Sequence, residues 1–138
     1  MNTQSEYLEI AVAGLHLSGF PLNHQLTSLG SRLKRSCKTS AEYKLYLIKD
    51  VRGEKPGLIR LLNERSGSAF EIEIWEVPMQ NVGKFISQIP QPLGIGTINL
   101  EDGTQVKGFI CEPCVVEENE DISRFSGWAE YIKAKEME

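Results

Sequence analysis

Residues 13–26 organise the chain, and they read A-G-L-H-L-S-G-F-P-L-N-H-Q-L. The apolar residues 7–13 before them alternate with period two and predict a short buried strand bounded by Gly14. Pro21 and the leucines that follow it at helical spacing predict a short helix closed by Gly30. A glycine-rich turn between a strand and a helix leaves backbone N–H groups free to bind an anion. The segment is therefore predicted to form a binding or active site.

His16 lies inside this turn, and histidine is the side chain that titrates closest to neutral pH. A histidine beside a core strand is often purely structural, and that role is the alternative here. A turn that favours an anion supports acid–base catalysis instead. We take His16 as the candidate catalytic residue.

Polar side chains cluster around the same turn. One interpretation makes them a helix cap and solvated positions. In the other, Ser18 and the backbone N–H groups of Leu17 and Gly19 hold a carboxylate. Asn23 and Gln25 follow on the helix, where Gln25 could reach the other end of a small substrate. Ser18 is not predicted to be a nucleophile, because no third group that would orient a Ser–His pair is identifiable.

The composition is that of an ordinary globular protein and indicates one domain over residues 1–138. Apolar residues make up 41% and charged residues 25%, and the net charge of −4 gives no general attraction to nucleic acid or anionic membranes. No apolar run approaches the roughly 20 residues needed to span a bilayer, and the first residues do not resemble a signal peptide. We therefore expect a cytoplasmic protein that binds neither nucleic acid nor membrane.

The three cysteines indicate a reducing compartment, because an odd number does not make a disulfide framework. Cys111-Glu-Pro-Cys114 matches the C-x-x-C pattern. A structural zinc site needs four ligands, and Cys37 is the only other cysteine. We expect three free thiols, no metal and no cofactor.

The rest of the chain alternates short strands with turns and predicts an α+β domain with six or seven strands and three helices. Strands are predicted over residues 42–49, 58–62, 70–77 and 105–116. Residues 98–106 predict a hairpin that turns at Asp102-Gly103, and residues 58–62 and 70–77 predict a second one across the turn 63–68. Helices are predicted over 78–88 and from Asp121 onward, and loops over 50–57 and 90–96.

The segment 13–26 resembles the G-x-H-L-S-G-x-P-L-N-x-Q-L stretch of the C-terminal domain of allophanate hydrolase. Further blocks resemble that domain in the same order, so that the resemblance covers residues 9–131. These blocks are Lys55-Pro-Gly-Leu58, Glu73-Ile-Trp-Glu-Val-Pro78, Ile89-Pro-Gln-Pro-Leu-Gly-Ile-Gly-Thr97, Val106-Lys-Gly-Phe109 and Gly127-Trp128.

The resemblance implies a γ-glutamylcyclotransferase-like fold, which is a small, mixed, mostly antiparallel, barrel-like sheet with outer helices. It also implies a role in urea degradation through allophanate. In that family the C-terminal domain is thought to decarboxylate the N-carboxycarbamate that an amidase domain leaves, with the histidine that corresponds to His16. On this basis the turn 14–20 and the loop 90–96 would form one pocket. Its predicted substrate-binding residues also include Gly14, Leu93, Gly94, Gly96 and Lys107.

Two departures from the family shape the expected function. A chain of 138 residues cannot hold an amidase domain, so we expect a free-standing domain that does not hydrolyse allophanate. We expect it to decarboxylate N-carboxycarbamate or a related small carboxylated amide. γ-Glutamylcyclotransferases use a carboxylate where residues 86–93 here have none, which weighs against γ-glutamyl cyclisation.

A second hypothesis is a non-catalytic module that docks on a separately encoded amidase. Its candidate contact surface is Glu73–Pro78 and the terminal helix, with Trp75, Trp128 and Tyr131, although each of these aromatic residues taken singly is more often a core residue. Under the leading hypothesis the partner is a small anionic substrate. Homodimerisation stays open under either hypothesis.

Overall fold

The structure is a computed structural model that describes residues 6–62 and 66–138. Within these residues, strands dominate and helices are short. The strands are β1 (Tyr7–Val12), β2 (Arg32–Lys38), β3 (Tyr43–Asp50), β4 (Gly53–Arg60), β5 (Glu71–Pro78), β6 (Leu93–Asn99), β7 (Gln105–Cys111) and β8 (Glu120–Asp121). The helices are α1 (His24–Thr27), α2 (Val82–Ile86) and α3 (Trp128–Glu136). The predicted α+β class is confirmed.

The strands form two sheets, and β1 lies at the centre of the larger one. The five-stranded sheet has the order β2-β5-β1-β7-β6, and the three-stranded sheet has the order β4-β3-β8. β1 pairs antiparallel with β5 and parallel with β7, whereas the other paired strands are antiparallel. The turn that follows β1 therefore begins at the middle of the larger sheet.

The larger sheet curls until its two edge strands meet. Thr39, just after β2, forms an antiparallel bridge with Leu100, just after β6. Ser40 N–H donates to Asn99 O at 2.9 Å, and Glu101 N–H donates to Lys38 O at 3.1 Å. The contact is one bridge rather than a ladder, and β3 and β4 belong to the other sheet. The predicted mixed, mostly antiparallel sheet is confirmed, but within the described residues it does not close into a barrel.

One hydrophobic core extends between the two sheets and the helices. Ile10, Val12, Ile72 and Ile74 contribute to it from the larger sheet. Burial of each such side chain contributes about 1.5–3 kcal/mol to folding. The core also contains Trp75, Trp128 and Tyr131, all of which are buried. The core alternative therefore holds for these three aromatic residues, and they do not supply the contact surface of the docking hypothesis.

The loop predicted over residues 50–57 is also wrong, because most of it belongs to β4. Pro56 is accepted there because β4 is an edge strand, where a missing backbone N–H disrupts no second ladder. Gly57 packs so closely that an added Cβ would lie 2.6 Å from Ile48 Cδ1 and 2.8 Å from Cys111 Sγ.

The hairpin predicted between residues 58–62 and 70–77 does not form. β4 pairs with β3, whereas β5 pairs with β1 and β2. Residues 63–65 of the turn predicted between them lie outside the described residues. By contrast, the hairpin at Asp102-Gly103 is confirmed, and Gly103 has the positive φ of 89° that the turn requires.

Several predicted boundaries shift. β6 begins at Leu93 and so takes up part of the predicted loop 90–96, and β7 ends at Cys111 before the 3₁₀ turn Pro113–Glu117. The terminal helix begins at Trp128 rather than at Asp121, because Asp121 belongs to β8 and pairs with Tyr46 of β3. Across residues 6–62 and 66–138, no helix has the length and apolar character needed to cross a membrane.

Candidate functional site

The segment after β1 folds back on itself through backbone hydrogen bonds. Leu17 N–H donates to Gly14 O at 3.0 Å, and Leu22 N–H donates to Leu15 O at 2.9 Å. Gly14 packs directly on β4, where an added Cβ would lie 2.3 Å from Pro56 Cγ. The turn is therefore fixed against the smaller sheet, and this position requires glycine.

His16 is buried in this turn, with 6% of its surface exposed. Its ring packs against Phe85 and Phe109, at centroid distances of 5.4 and 4.9 Å. Burial lowers the pKa of His16 below 6.5, the hydrogen bond with Gln25 acts in the opposite direction, and the nearby His24 lowers it further. The imidazole is therefore neutral at pH 7.

Two polar side chains from the start of α1 hold His16 in place. His16 Nε2 lies 2.7 Å from Gln25 Oε1, and Asn23 Nδ2 donates to the His16 carbonyl at 2.8 Å. An amide oxygen only accepts hydrogen bonds, so the neutral ring carries its proton on Nε2. The lone pair of Nδ1 accepts no hydrogen bond from any described residue and is available for proton transfer.

A cavity of about 390 Å³ lies against His16. Its walls come from the turn after β1, the β3–β4 hairpin and residues 88–93. Pro56, Leu58 and Phe109 provide apolar surface, and Gln25 and Gln88 provide uncharged polar groups. A mostly apolar cavity with a few polar groups is typical of small-molecule sites.

The charged groups of the cavity come from the β3–β4 hairpin. Lys55 is buried, with 5% of its surface exposed, and its Nζ lies 2.9 Å from Asp50 Oδ2. The hydrogen bond from Lys55 keeps the pKa of Asp50 below its usual value. Arg52 and Glu54 complete the charged lining. These residues were not predicted from the sequence, because the glycines and the proline of residues 50–57 indicate a loop, although Lys55 belongs to the Lys-Pro-Gly-Leu block.

The structure brings some of the predicted site residues together. Gly14, His16, Gln25 and Leu93 all line the cavity. The predicted pocket between the turn 14–20 and the segment 90–96 therefore exists in outline, although the β3–β4 hairpin forms a third wall that was not predicted.

Ser18 and its neighbours lie outside this cavity. The backbone N–H and the hydroxyl of Ser18 both donate to Glu73 Oε1, at 2.8 and 3.1 Å. Trp75 Nε1 donates to the same oxygen at 3.0 Å. The donors predicted to bind a substrate carboxylate thus already bind a carboxylate of the chain. Leu17 and Gly19 likewise do not line the cavity.

The remaining predicted residues also lie elsewhere. Gly94 and Gly96 are within β6, and an added Cβ at Gly96 would meet Ile110 Cδ1 at 2.4 Å. Lys107 is exposed on β7 and donates to Thr97 Oγ1 at 3.0 Å. Asn23 contacts the His16 backbone rather than the cavity.

All three cysteines are free thiols. Burial raises the pKa of Cys111 to about 11, and Cys114 is exposed. In the part of the chain that the structure describes, no three His, Cys, Asp or Glu residues are grouped so that they could hold a metal ion.

This mixed sheet, with a glycine-containing turn after its central strand and short outer helices, defines a domain of the γ-glutamylcyclotransferase-like fold. Within that class the family is shown by sequence. The family model described as "Allophanate hydrolase C-terminal domain" matches residues 8–133, and the chain belongs to that family.

Known relatives agree with this assignment. The chain is 43% identical to a urea amidolyase of Lachancea kluyveri over 128 residues, which are 91% of this chain and 7% of the relative. The solved allophanate hydrolase of Kluyveromyces lactis superposes with a TM-score of 0.89 at 40% identity, over 94% of this chain and 21% of that one. A solved uropathogenic E. coli-specific protein, c4763, superposes with a TM-score of 0.83 at 31% identity, over 92% of this chain and 96% of that one.

The chain thus spans less than a tenth of the length of the urea amidolyases it matches. The predicted family is confirmed. The similarity supports the predicted context of urea and allophanate degradation.

Proposed function

We propose that this domain binds N-carboxycarbamate in the cavity beside His16 and removes carbon dioxide from it, with His16 as the proton donor. The observation that carries the proposal is the state of His16: it is buried at the cavity wall, with Nε2 fixed by Gln25 and Nδ1 free. The family assignment supports a substrate from allophanate degradation.

The reaction needs one proton. N-carboxycarbamate has two carboxylates on one nitrogen. The imidazolium form of His16 gives the proton on Nδ1 to this nitrogen. The bond between the nitrogen and one carboxylate carbon then breaks, with its electron pair left on nitrogen. The products are carbon dioxide and carbamate, and His16 regains a proton from water. General acid catalysis of this kind contributes about 10²–10⁴ in rate.

Substrate binding would generate the acid that the step requires. Burial keeps His16 neutral in the empty cavity, because the imidazolium is poorly solvated there. A bound dianion stabilises the imidazolium and raises the pKa of His16 in the complex. The proton is therefore taken up together with the substrate and lies next to the nitrogen that needs it.

The test follows carbon dioxide release after an amidase-only enzyme generates the intermediate. The wild-type domain should accelerate release, and His16→Ala should remove the acceleration while the turn backbone remains folded. His24→Ala is the matched control, since His24 is exposed and its Nδ1 bonds only the Pro21 carbonyl. It should retain the acceleration within about twofold. A wild-type domain that adds nothing to the spontaneous rate would rule out catalysis.

A docking role on an amidase is the second candidate. The longer chains of the Lachancea kluyveri and Kluyveromyces lactis relatives favour it, because each contains a similar domain. Trp75, Trp128 and Tyr131 cannot form the docking surface because they are buried. Co-purification of the domain with an amidase, in the absence of any effect on carbon dioxide release, would favour docking alone.

A further inference from the structure

We propose that Lys55 and Arg52 are the anion-binding residues of the cavity, and that Asp50 competes with the ligand for Lys55 and so selects for dicarboxylates. This inference deepens the proposed function and rests on it only for the choice of cavity. Binding is measured without any reaction, so the two proposals fail separately.

Lys55 is buried, which is uncommon for a lysine. Lysine is almost never fully buried unless it is paired, and here the pairing is with one carboxylate. Its ammonium carries three donors, and Asp50 is its one ion-pair partner within residues 6–62 and 66–138. Lys55 is one of the residues that line the cavity. A poorly solvated ammonium with remaining donors attracts a second carboxylate strongly.

Arg52 supplies the second cation. It lies in the two-residue turn between β3 and β4, where its backbone N–H donates to Asp50 Oδ1 at 2.8 Å. Its guanidinium forms no ion pair with the acidic residues that the structure describes. The guanidinium fork matches the geometry of a carboxylate. One hairpin therefore presents a buried cation and an unpaired cation to the same cavity.

The two acidic residues of the cavity wall differ in the position of the cations that pair with them. Glu54 is compensated from outside the cavity, by Lys135 at 2.5 Å and Lys49 at 3.9 Å. Asp50 is compensated by Lys55 itself. A ligand carboxylate that approaches Lys55 must therefore share the ammonium with Asp50. A monocarboxylate at Lys55 meets this competition with nothing to offset it, whereas a dicarboxylate also gains the contact with Arg52.

The experiment uses malonate, a stable dicarboxylate with a methylene group in place of the nitrogen, and acetate as the monocarboxylate. Affinities are measured by titration calorimetry at low ionic strength. Lys55→Met should weaken malonate binding at least about tenfold, and Arg52→Gln should weaken it about three- to tenfold. Lys49→Met is the control on the same hairpin, with its side chain outside the cavity, and should stay within about twofold. Acetate should bind far more weakly than malonate.

Asp50→Asn is the most discriminating variant, because only competition between Asp50 and the ligand predicts that its removal increases malonate affinity. Asparagine retains an Oδ1 acceptor for the Arg52 N–H but removes the charge beside Lys55. Malonate should then bind about three- to tenfold more tightly. If Lys55 and Asp50 are only a structural pair, the affinity stays the same or falls, and the inference is overturned.

Two safeguards keep the inference testable. Thermal unfolding shows whether each variant folds, and if Lys55→Met does not fold, Asp50→Asn and Arg52→Gln still decide the matter. Unchanged malonate affinity in a folded Lys55→Met also overturns the inference. Malonate binding that depends on Lys55, together with no carbon dioxide release, would retain the anion site and reject the catalytic proposal.

Discussion

His16 Nε2 and Gln25 Oε1 lie 2.7 Å apart, and this hydrogen bond joins the turn after the central strand to the short helix α1. The bond determines which ring nitrogen carries the proton, and it leaves Nδ1 available for proton exchange. The same ring is buried against two phenylalanines. One side chain is thus both a core residue and the group that can exchange a proton, so its titration should appear in stability as well as in activity.

The burial of His16 makes the free energy of unfolding depend on pH. Its pKa lies below 6.5 in the folded protein and near 6.5 in the unfolded chain, so the unfolded chain binds more protons between the two values. The stability that the neutral ring provides is complete above pH 6.5 and is lost as the pH falls through the folded pKa. Urea unfolding between pH 7.5 and 5 should show a steeper loss for wild type than for His16→Asn.

His24→Asn is the control for this prediction, because His24 is exposed. This variant should keep nearly the wild-type slope, because the charge of His24 is the smallest of the influences on the pKa of His16. Carboxylates with lowered pKa values, such as Asp50 and Asp121, contribute only below this pH range. Equal slopes for wild type and His16→Asn would mean that His16 is not buried in solution.

Gln25→Glu should raise the pKa of His16. A carboxylate would accept the Nε2–H bond and stabilise the imidazolium by its charge, whereas the present amide does so only through the hydrogen bond. NMR titration of the ring should show a higher pKa for His16 in this variant than in the wild type. Gln88→Glu places the same charge on the cavity wall without an observed bond to His16, and it should shift the pKa less. Similar shifts in the two variants would contradict the role of the hydrogen bond.

The cysteines should differ in reactivity. Burial raises the pKa of Cys111 to about 11, so hardly any thiolate exists there at pH 8, while Cys114 is exposed. Iodoacetamide at pH 8 should therefore modify Cys114 well before Cys111. Peptide mass spectrometry over time measures the order. Faster modification of Cys111 would show that the end of β7 opens readily.

The elements that the sequence predicted well depend on local signals. The alternation in β5 and the Asp-Gly turn between β6 and β7 are properties of neighbouring residues, and both form as expected. The prediction of a loop over residues 50–57 was wrong because local rules treat glycine and proline as loop residues. At Pro56 and Gly57 the requirement is tertiary, since one lies in an edge strand and the other packs against Cys111.

The residues of the candidate site also differ in whether neighbouring sequence could predict their contacts. His16 and Gln25 are nine positions apart in one segment, and the sequence predicted both. The contact of Ser18 with Glu73 spans 55 positions, so the sequence did not show that the donors of Ser18 are occupied. Lys55 reaches the cavity through the register of β3 with β4, which pairs it with Ile48 and leaves it buried. This register was not predicted, because residues 50–57 were interpreted as a loop and not as part of a hairpin.

The central position of β1 leads to a last prediction, about two glycines in adjacent strands. Gly108 pairs with Ala11 in the parallel ladder of β1 and β7, and an added Cβ would lie 2.8 Å from Ala11 Cβ and 2.9 Å from Ala11 O. A backbone carbonyl cannot yield without separating the two strands. Gly108→Ala should therefore lower the free energy of unfolding by about 1–3 kcal/mol. Gly94 has open space where its Cβ would lie, so Gly94→Ala should be neutral or stabilising by up to about 1 kcal/mol. Urea unfolding of the two variants measures the difference, and equal effects would show that β1 and β7 are not closely paired in solution.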